Sequence, residues 1–265
     1  MTTLEKIVGN RRKLLDIEKK RIPYNELRTQ VDYLLEAGNS PLPFLSGAND
    51  KKPFLIAEIK RASPSKGIIR RNFNIDHIAK IYDKSPFVDA ISILTEPDFF
   101  WGSYEYVEIV SDITNKPILM KDFILDTYQI YRGYLLGASA ILLISSIIED
   151  DQIQEFVRVA KELNMNILFE THTADEYRGA LDYEIDIIGI NNRDLKNFST
   201  DINNTINILE KVGKPEGKMI ISESGIDARD DIKQLWQSGV DGFLIGERFM
   251  KSDNIEAAIT CLLDE

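Results

Sequence analysis

The apolar run FLIAEIK, residues 54–60, ends on two opposite charges two residues apart, Glu58 and Lys60. Side chains alternate along a strand, so Phe54, Ile56, Glu58 and Lys60 share one face while Leu55, Ala57 and Ile59 share the other. The same period in later runs aligns Lys121 with Leu119, Glu170 with Leu168 and Glu223 with Ile221. Charges brought together in a cavity must pair, shift their pKa or act on a ligand, which is the setting of general acid–base chemistry. Taken singly, each reads first as a rim salt bridge; five at the same end are harder to dismiss in that way.

A second group has the chemistry of an anion site. Ser222, Glu223, Ser224 and Gly225 close one run, and Gly246 and Glu247 close another, each leading toward a helix. Small residues there let backbone N–H groups approach a phosphate, and a helix start adds favourable partial charge. Ser63 and Arg193, on other loops, are further donors, Arg193 serving equally well in a rim ion pair.

The elements that must position these groups alternate between strand and helix. Eight apolar, often β-branched runs occupy residues 54–60, 88–94, 117–121, 138–144, 165–170, 185–191, 218–223 and 240–246. Their near-continuous apolarity suits strands buried on both faces of a parallel sheet. Helical spacing fills 75–84, 127–136, 151–163 and 230–238, with Gly137 and Gly239 where left-handed terminators are expected after two of these helices. Eight such units predict an α/β fold, a closed (β/α)8 TIM barrel, with an open doubly wound sheet as the competitor. Phosphate sites in barrels lie after strands 7 and 8, where the small residues are. The odd runs contribute Glu58, Lys60, Lys121, Glu170 and Glu223, and residues of alternate strands converge in common layers. We expect one domain over 1–265, with 1–50 an amino-terminal helical extension capping the barrel.

Composition narrows the partners. The 265 residues carry a net charge of −11 at a pI near 4.9, which opposes a broad nucleic-acid surface but leaves room for a small anion. No run approaches a membrane span and the first residues lack the apolar centre of a secretory signal, so we expect a cytoplasmic protein with no membrane partner. The basic stretch Arg11, Arg12, Lys13, Lys19, Lys20, Arg21 reads as a solvated helix face, and the single Cys261 as a small buried thiol.

The segments AEIKRASPSKG, SILTEPDFFWGS, PILMKDFI, GINNRDL, SESGI and FLIGERFM, in this order and spacing, resemble the indole-3-glycerol phosphate synthase family of tryptophan biosynthesis. PLPFLSGAND follows the family's amino-terminal pattern loosely. The resemblance implies ring closure, decarboxylation and dehydration of 1-(2-carboxyphenylamino)-1-deoxyribulose 5-phosphate, with no cofactor and no metal. It also implies Lys121 as the acid at the attacked carbonyl and Glu170 as the base of dehydration. Glu58, Lys60 and Asn191 support the reacting groups, and Glu223 and Ser224 bind substrate or organise the site. Phosphate contacts carry over to Ser63, Gly225 and Gly246, with Arg193 nearby. Glu247 stands where many family members have a small residue, so a backbone rather than a hydroxyl contact is expected there. Phe123 and Leu142 match the pocket for the aromatic ring, Leu142 being equally well explained as core, and Phe99 and Phe100 lie on the loop after strand 2. No role is implied for His172 or His77. A monomer without a fused partner is expected. On the residues alone, an isomerase acting on a related sugar phosphate and a non-catalytic phosphometabolite-binding barrel stay open.

Overall fold

The computed structural model describes residues 2–49, 51–194 and 199–264. Asp50 and Leu195, the last residues of PLPFLSGAND and GINNRDL, lie outside the described residues. Eight parallel strands form a closed barrel: β1 (Phe54–Ile59), β2 (Ala90–Leu94), β3 (Ile118–Lys121), β4 (Ala140–Ile144), β5 (Asn166–Thr171), β6 (Ile187–Asn191), β7 (Met219–Glu223) and β8 (Gly242–Ile245), with β8 pairing back onto β1. All but β1 begin one or two residues later than the apolar runs. Lys60 likewise falls just past β1.

Eleven α-helices are present among the described residues. An amino-terminal pair, α1 (Thr3–Arg21) and α2 (Tyr24–Glu36), precedes the barrel. The outer layer comprises α3 (Ile75–Lys84), α4 (Tyr104–Ser111), α5 (Thr127–Leu135), α6 (Asp150–Glu162), α7 (Ala174–Ala180), α8 (Asn203–Val212), α9 (Arg229–Gln237), α10 (Glu247–Lys251) and α11 (Ile255–Leu263). Local chemistry sets their ends. Thr2 and Glu5 form a reciprocal capping box at α1, and Asn74, Ser103, Asp126, Thr173 and Asn254 accept orphan N–H groups at five other starts. Gly137 and Gly239 have φ of 88° and 100° after α5 and α9, the left-handed ends their sequence positions predict. No described helix is long and apolar enough to cross a membrane.

The period of two governs both cores. Leu55, Ala57 and Ile59 face the helices, whereas Phe54, Ile56, Leu119, Leu168, Ile221 and Leu244 fill the barrel interior. That alternation carries Glu58, Glu170 and Glu223 inward at the carboxyl end, where each is buried.

The extension does more than cap the mouth. Thr3, Leu4 and Ile7 of α1 line the mouth, α2 packs along α5, and Phe44 is fully buried against Phe54 among interior barrel residues. The basic stretch is not a uniformly solvated face. Arg11 is 1% exposed, its Nε and Nη2 each donating to Asp122 at 2.9 Å and its Nη1 to Glu18 at 3.0 Å, and Lys19 pairs with Asp126. Helical geometry turns Arg11 onto the buried line of Ile7 and Leu15, and only tertiary packing supplies the carboxylate beneath it. Cys261 is exposed rather than buried, because Ile255, Ala258, Ile259 and Leu262 occupy the core-facing side of α11.

Replacing Arg11 by Met strands the buried Asp122 carboxylate, and we expect a loss of about 3 kcal/mol in urea unfolding. A loss below about 1 kcal/mol would show that Asp122 has another adequate partner.

Candidate active site

Strand-end register gathers the odd-strand charges as the sequence predicts. Lys121 Nζ lies 3.0 Å from Glu223 Oε2 and 3.3 Å from Glu58 Oε1, while Lys60 pairs with the other oxygen of Glu58. Glu170 projects into the same mouth cavity. Even strands make the room. A Cβ at Gly189 in β6 would strike Glu223 Oε1, and one at Gly246, just past β8, would strike the Glu58 carboxylate.

The three glutamates share too few cations to be equivalent. Burial pushes the Glu58 carboxyl up, but Lys60 and then Lys121 outweigh it and bring it down to about 2. Burial also disfavours the Lys121 ammonium, yet Glu223 and Glu58 together hold it well above the usual lysine range. Glu223 must share Lys121 with Glu58. Burial pushes it up to about 7, with Lys121 pulling down and the Glu170 charge pushing further up. Its Oε1, against Gly189, has no hydrogen bond among the described residues.

Two cavities meet at this cluster. One, of about 120 Å³, is largely apolar, with Phe100, Phe123, Leu142 and Ile144 on its walls and Ile7 above. Phe100 and Phe123 lie 6.0 Å apart, and buried Glu96 holds the first by accepting N–H bonds from Asp98, Phe99 and Phe100. Phe99 does not line this cavity. Leu142 belongs both to the interior core and to the cavity wall.

The other cavity, of about 180 Å³, is polar and runs over Ser224, Gly225, Gly246 and Glu247. Lys60, Lys66, Arg193, Arg248 and Lys251 give it an excess of positive charge. Ser224 and Gly225 have φ of 68° and 74°, a left-handed pair. Asn192 steadies them, donating to Ser222 Oγ at 2.9 Å and Ser224 O at 3.1 Å, and Asn191 Oδ1 accepts from the Arg193 N–H at 3.0 Å. Ser63 lines the apolar cavity instead, and neighbouring Ser65 Oγ accepts from Arg193. Glu247 pairs with Arg193 at 3.2 Å and Lys251 at 2.6 Å, so Arg193 both lines the pocket and makes the expected rim ion pair.

Lys66, Lys251, Asn192 and Glu96 join the site without having been singled out by their place in the sequence. For Lys251 a signal exists in its i,i+4 spacing to Glu247. Glu96 and Asn192 act by holding backbone groups brought near by loop folding, for which spacing offers no signal.

The family model described as indole-3-glycerol phosphate synthase matches residues 4–262. The chain belongs to this family. Its relatives include proteins named indole-3-glycerol phosphate synthase from Legionella pneumophila (strain Paris), 42% identical over 262 residues with 99% of this chain and 98% of the relative covered, and from Caldanaerobacter subterraneus subsp. tengcongensis, 45% identical over 250 residues with 94% of each covered. A similar fold occurs in the crystal structure of KGPDC from Streptococcus mutans, with a TM-score of 0.59 and 16% identity over 79% of this chain and 95% of that one. That likeness concerns the barrel alone. Membership of the synthase family does not favour the isomerase and the non-catalytic barrel.

An acid whose folded pKa exceeds its unfolded value takes up a proton on folding, so Glu223 lowers stability progressively from about pH 4.5 to about pH 7 and by a constant amount above that. Glu223→Gln removes this burden. In urea unfolding its advantage over wild type should be small at pH 4.5 and about 3 kcal/mol at pH 8. An advantage independent of pH would show that Glu223 is not the raised group.

Proposed function

We propose that the two cavities divide one substrate between them and that Lys121, at their junction, meets its reacting carbonyl. The chain is an indole-3-glycerol-phosphate synthase, a carboxy-lyase of tryptophan biosynthesis acting on a phosphorylated small molecule. The substrate is 1-(2-carboxyphenylamino)-1-deoxyribulose 5-phosphate. One observation carries the assignment of roles: Lys121 is shared between Glu58 and Glu223, with an apolar, aromatic-walled cavity on one side and a cation-rich pocket on the other.

The carboxyphenyl ring occupies the space beside Phe100, Phe123 and Leu142. The phosphate occupies the pocket near Gly225 and Gly246, drawing on Lys66, Arg193 and Lys251, with Ser63 at its edge and Glu247 yielding these cations. The aromatic carbon bearing the carboxylate then attacks the C2 carbonyl. Lys121 is firmly protonated at rest, so it first stabilises the developing alkoxide as a fixed charge and surrenders its proton once that oxygen becomes the stronger base. Loss of carbon dioxide restores the aromatic ring. Glu170 takes the C1 proton as the C2 oxygen leaves as water, completing the pyrrole.

Glu58 orients Lys121 and balances part of its charge, and Lys60 holds Glu58 ionised from its other oxygen. Asn191 and Ser224 hold the substrate's polar groups, and Glu223, pushed up to about 7, offers a donor in its protonated form. The scheme takes a monomer as the working unit.

Turnover of the carboxyphenylamino sugar phosphate, followed by indole fluorescence, tests the scheme. Lys121→Ala should lower kcat at least about 100-fold with a modest change in KM. A change confined to KM would remove Lys121 from the chemical step. Arg193→Ala should act mainly on KM, and a purely catalytic defect would remove Arg193 from the phosphate site.

A further inference from the structure

His172 lies one residue past β5, and its ring stands in the wall between two spaces. Nε2 is 3.3 Å from Glu170 Oε1, and Nδ1 is 3.7 Å from Glu176 Oε2 on α7. Glu170 lines the mouth cavity, whereas His172 and Glu176 line a separate cavity of about 640 Å³ with Asn191, Asn192 and Asn204. The imidazole is held by its own backbone: its N–H donates to Glu176 Oε2 at 2.6 Å, and its carbonyl accepts from Asn204 at 3.2 Å. Neither ring nitrogen completes a hydrogen bond among the described residues. The chain has only two histidines, and His77 is exposed on α3 and lines neither cavity.

The reaction makes a demand that these groups fit. A substrate carboxylate leaves as neutral carbon dioxide and a carbonyl oxygen leaves as neutral water, so each turnover consumes one proton. Inside the cluster, two protons go to the C2 oxygen and one returns from C1 to Glu170. The deficit of one must be made good from solvent in each turnover.

We propose that His172 supplies this proton through Glu170, drawing it from water in the second cavity. In this step an N–H bond of the imidazolium breaks and an O–H bond forms on Glu170. Glu170 gives that proton to the departing C2 hydroxyl, then takes the C1 proton and returns it to Lys121, while the neutral imidazole takes a proton from water beside Glu176 and leaves hydroxide to the solvent. His172 thus acts through Glu170 and does not touch substrate. The surrounding charges suit the task. Burial disfavours the imidazolium, but Glu176 and Glu170, with Glu223 behind them, outweigh it and raise His172 above its ordinary value. The inference rests on the synthase reading.

The test uses stopped-flow single turnover with indole fluorescence and a pH indicator read together. Wild type should form the indole product with uptake of one proton; failure here overturns the synthase reading itself. His172→Gln and His172→Asn, each first checked for wild-type thermal unfolding, should slow product formation about tenfold or more. Added imidazole should restore a substantial part of the rate in either variant that folds. Wild-type rates in a folded variant, or a slow variant that imidazole does not rescue, would overturn the relay.

Discussion

One ammonium group shared by two buried carboxylates organises the top of this barrel. Lys121 cannot fully compensate Glu58 and Glu223 at once, and Lys60 tips the balance toward Glu58. The consequence is a division among chemically identical side chains: Glu58 is firmly ionised, whereas burial and like charge push the titration of Glu223 up to about pH 7. Low dielectric makes this division sharp, since the same groups in water would titrate together.

Much of the architecture exists to make that arrangement possible. The closed barrel brings β1, β3, β5 and β7 to a common height, and glycines beside β7 and β1 leave space for carboxylates that any larger side chain would displace. Charge is also managed outside the interior. Arg11 reaches from α1 to Asp122, the residue after Lys121, so the amino-terminal helix fastens the strand end that carries the central lysine. The same helix covers the apolar cavity with Ile7. One buried ion pair therefore joins the helix that lines the mouth to the strand end that carries Lys121.

The separation of apolar and cationic spaces follows from the order of the loops. Those after β2 and β3 bring Phe100 and Phe123 together, and those after β7 and β8 expose backbone beside basic side chains. In the proposed function a substrate with an aromatic acid at one end and a phosphate at the other spans both, with its carbonyl at the charged junction.

The strands, their faces and the converging charges are legible in sequence because a period of two is local and survives folding unchanged. Glu58, Lys121, Glu170 and Glu223 can be assigned one direction from their neighbours Ile56, Leu119, Leu168 and Ile221. The motifs around them determine the family. What sequence alone does not supply is partnership. Arg11 reads as solvated because its carboxylate lies 111 residues away, Cys261 reads as buried because its neighbours are apolar, and Glu96 gives no sign of the three N–H groups it collects. Whether a charge is paired, shared or stranded depends on distances of a few ångströms between segments far apart in the chain. Those distances, and hence the protonation states, are decided only when the barrel closes.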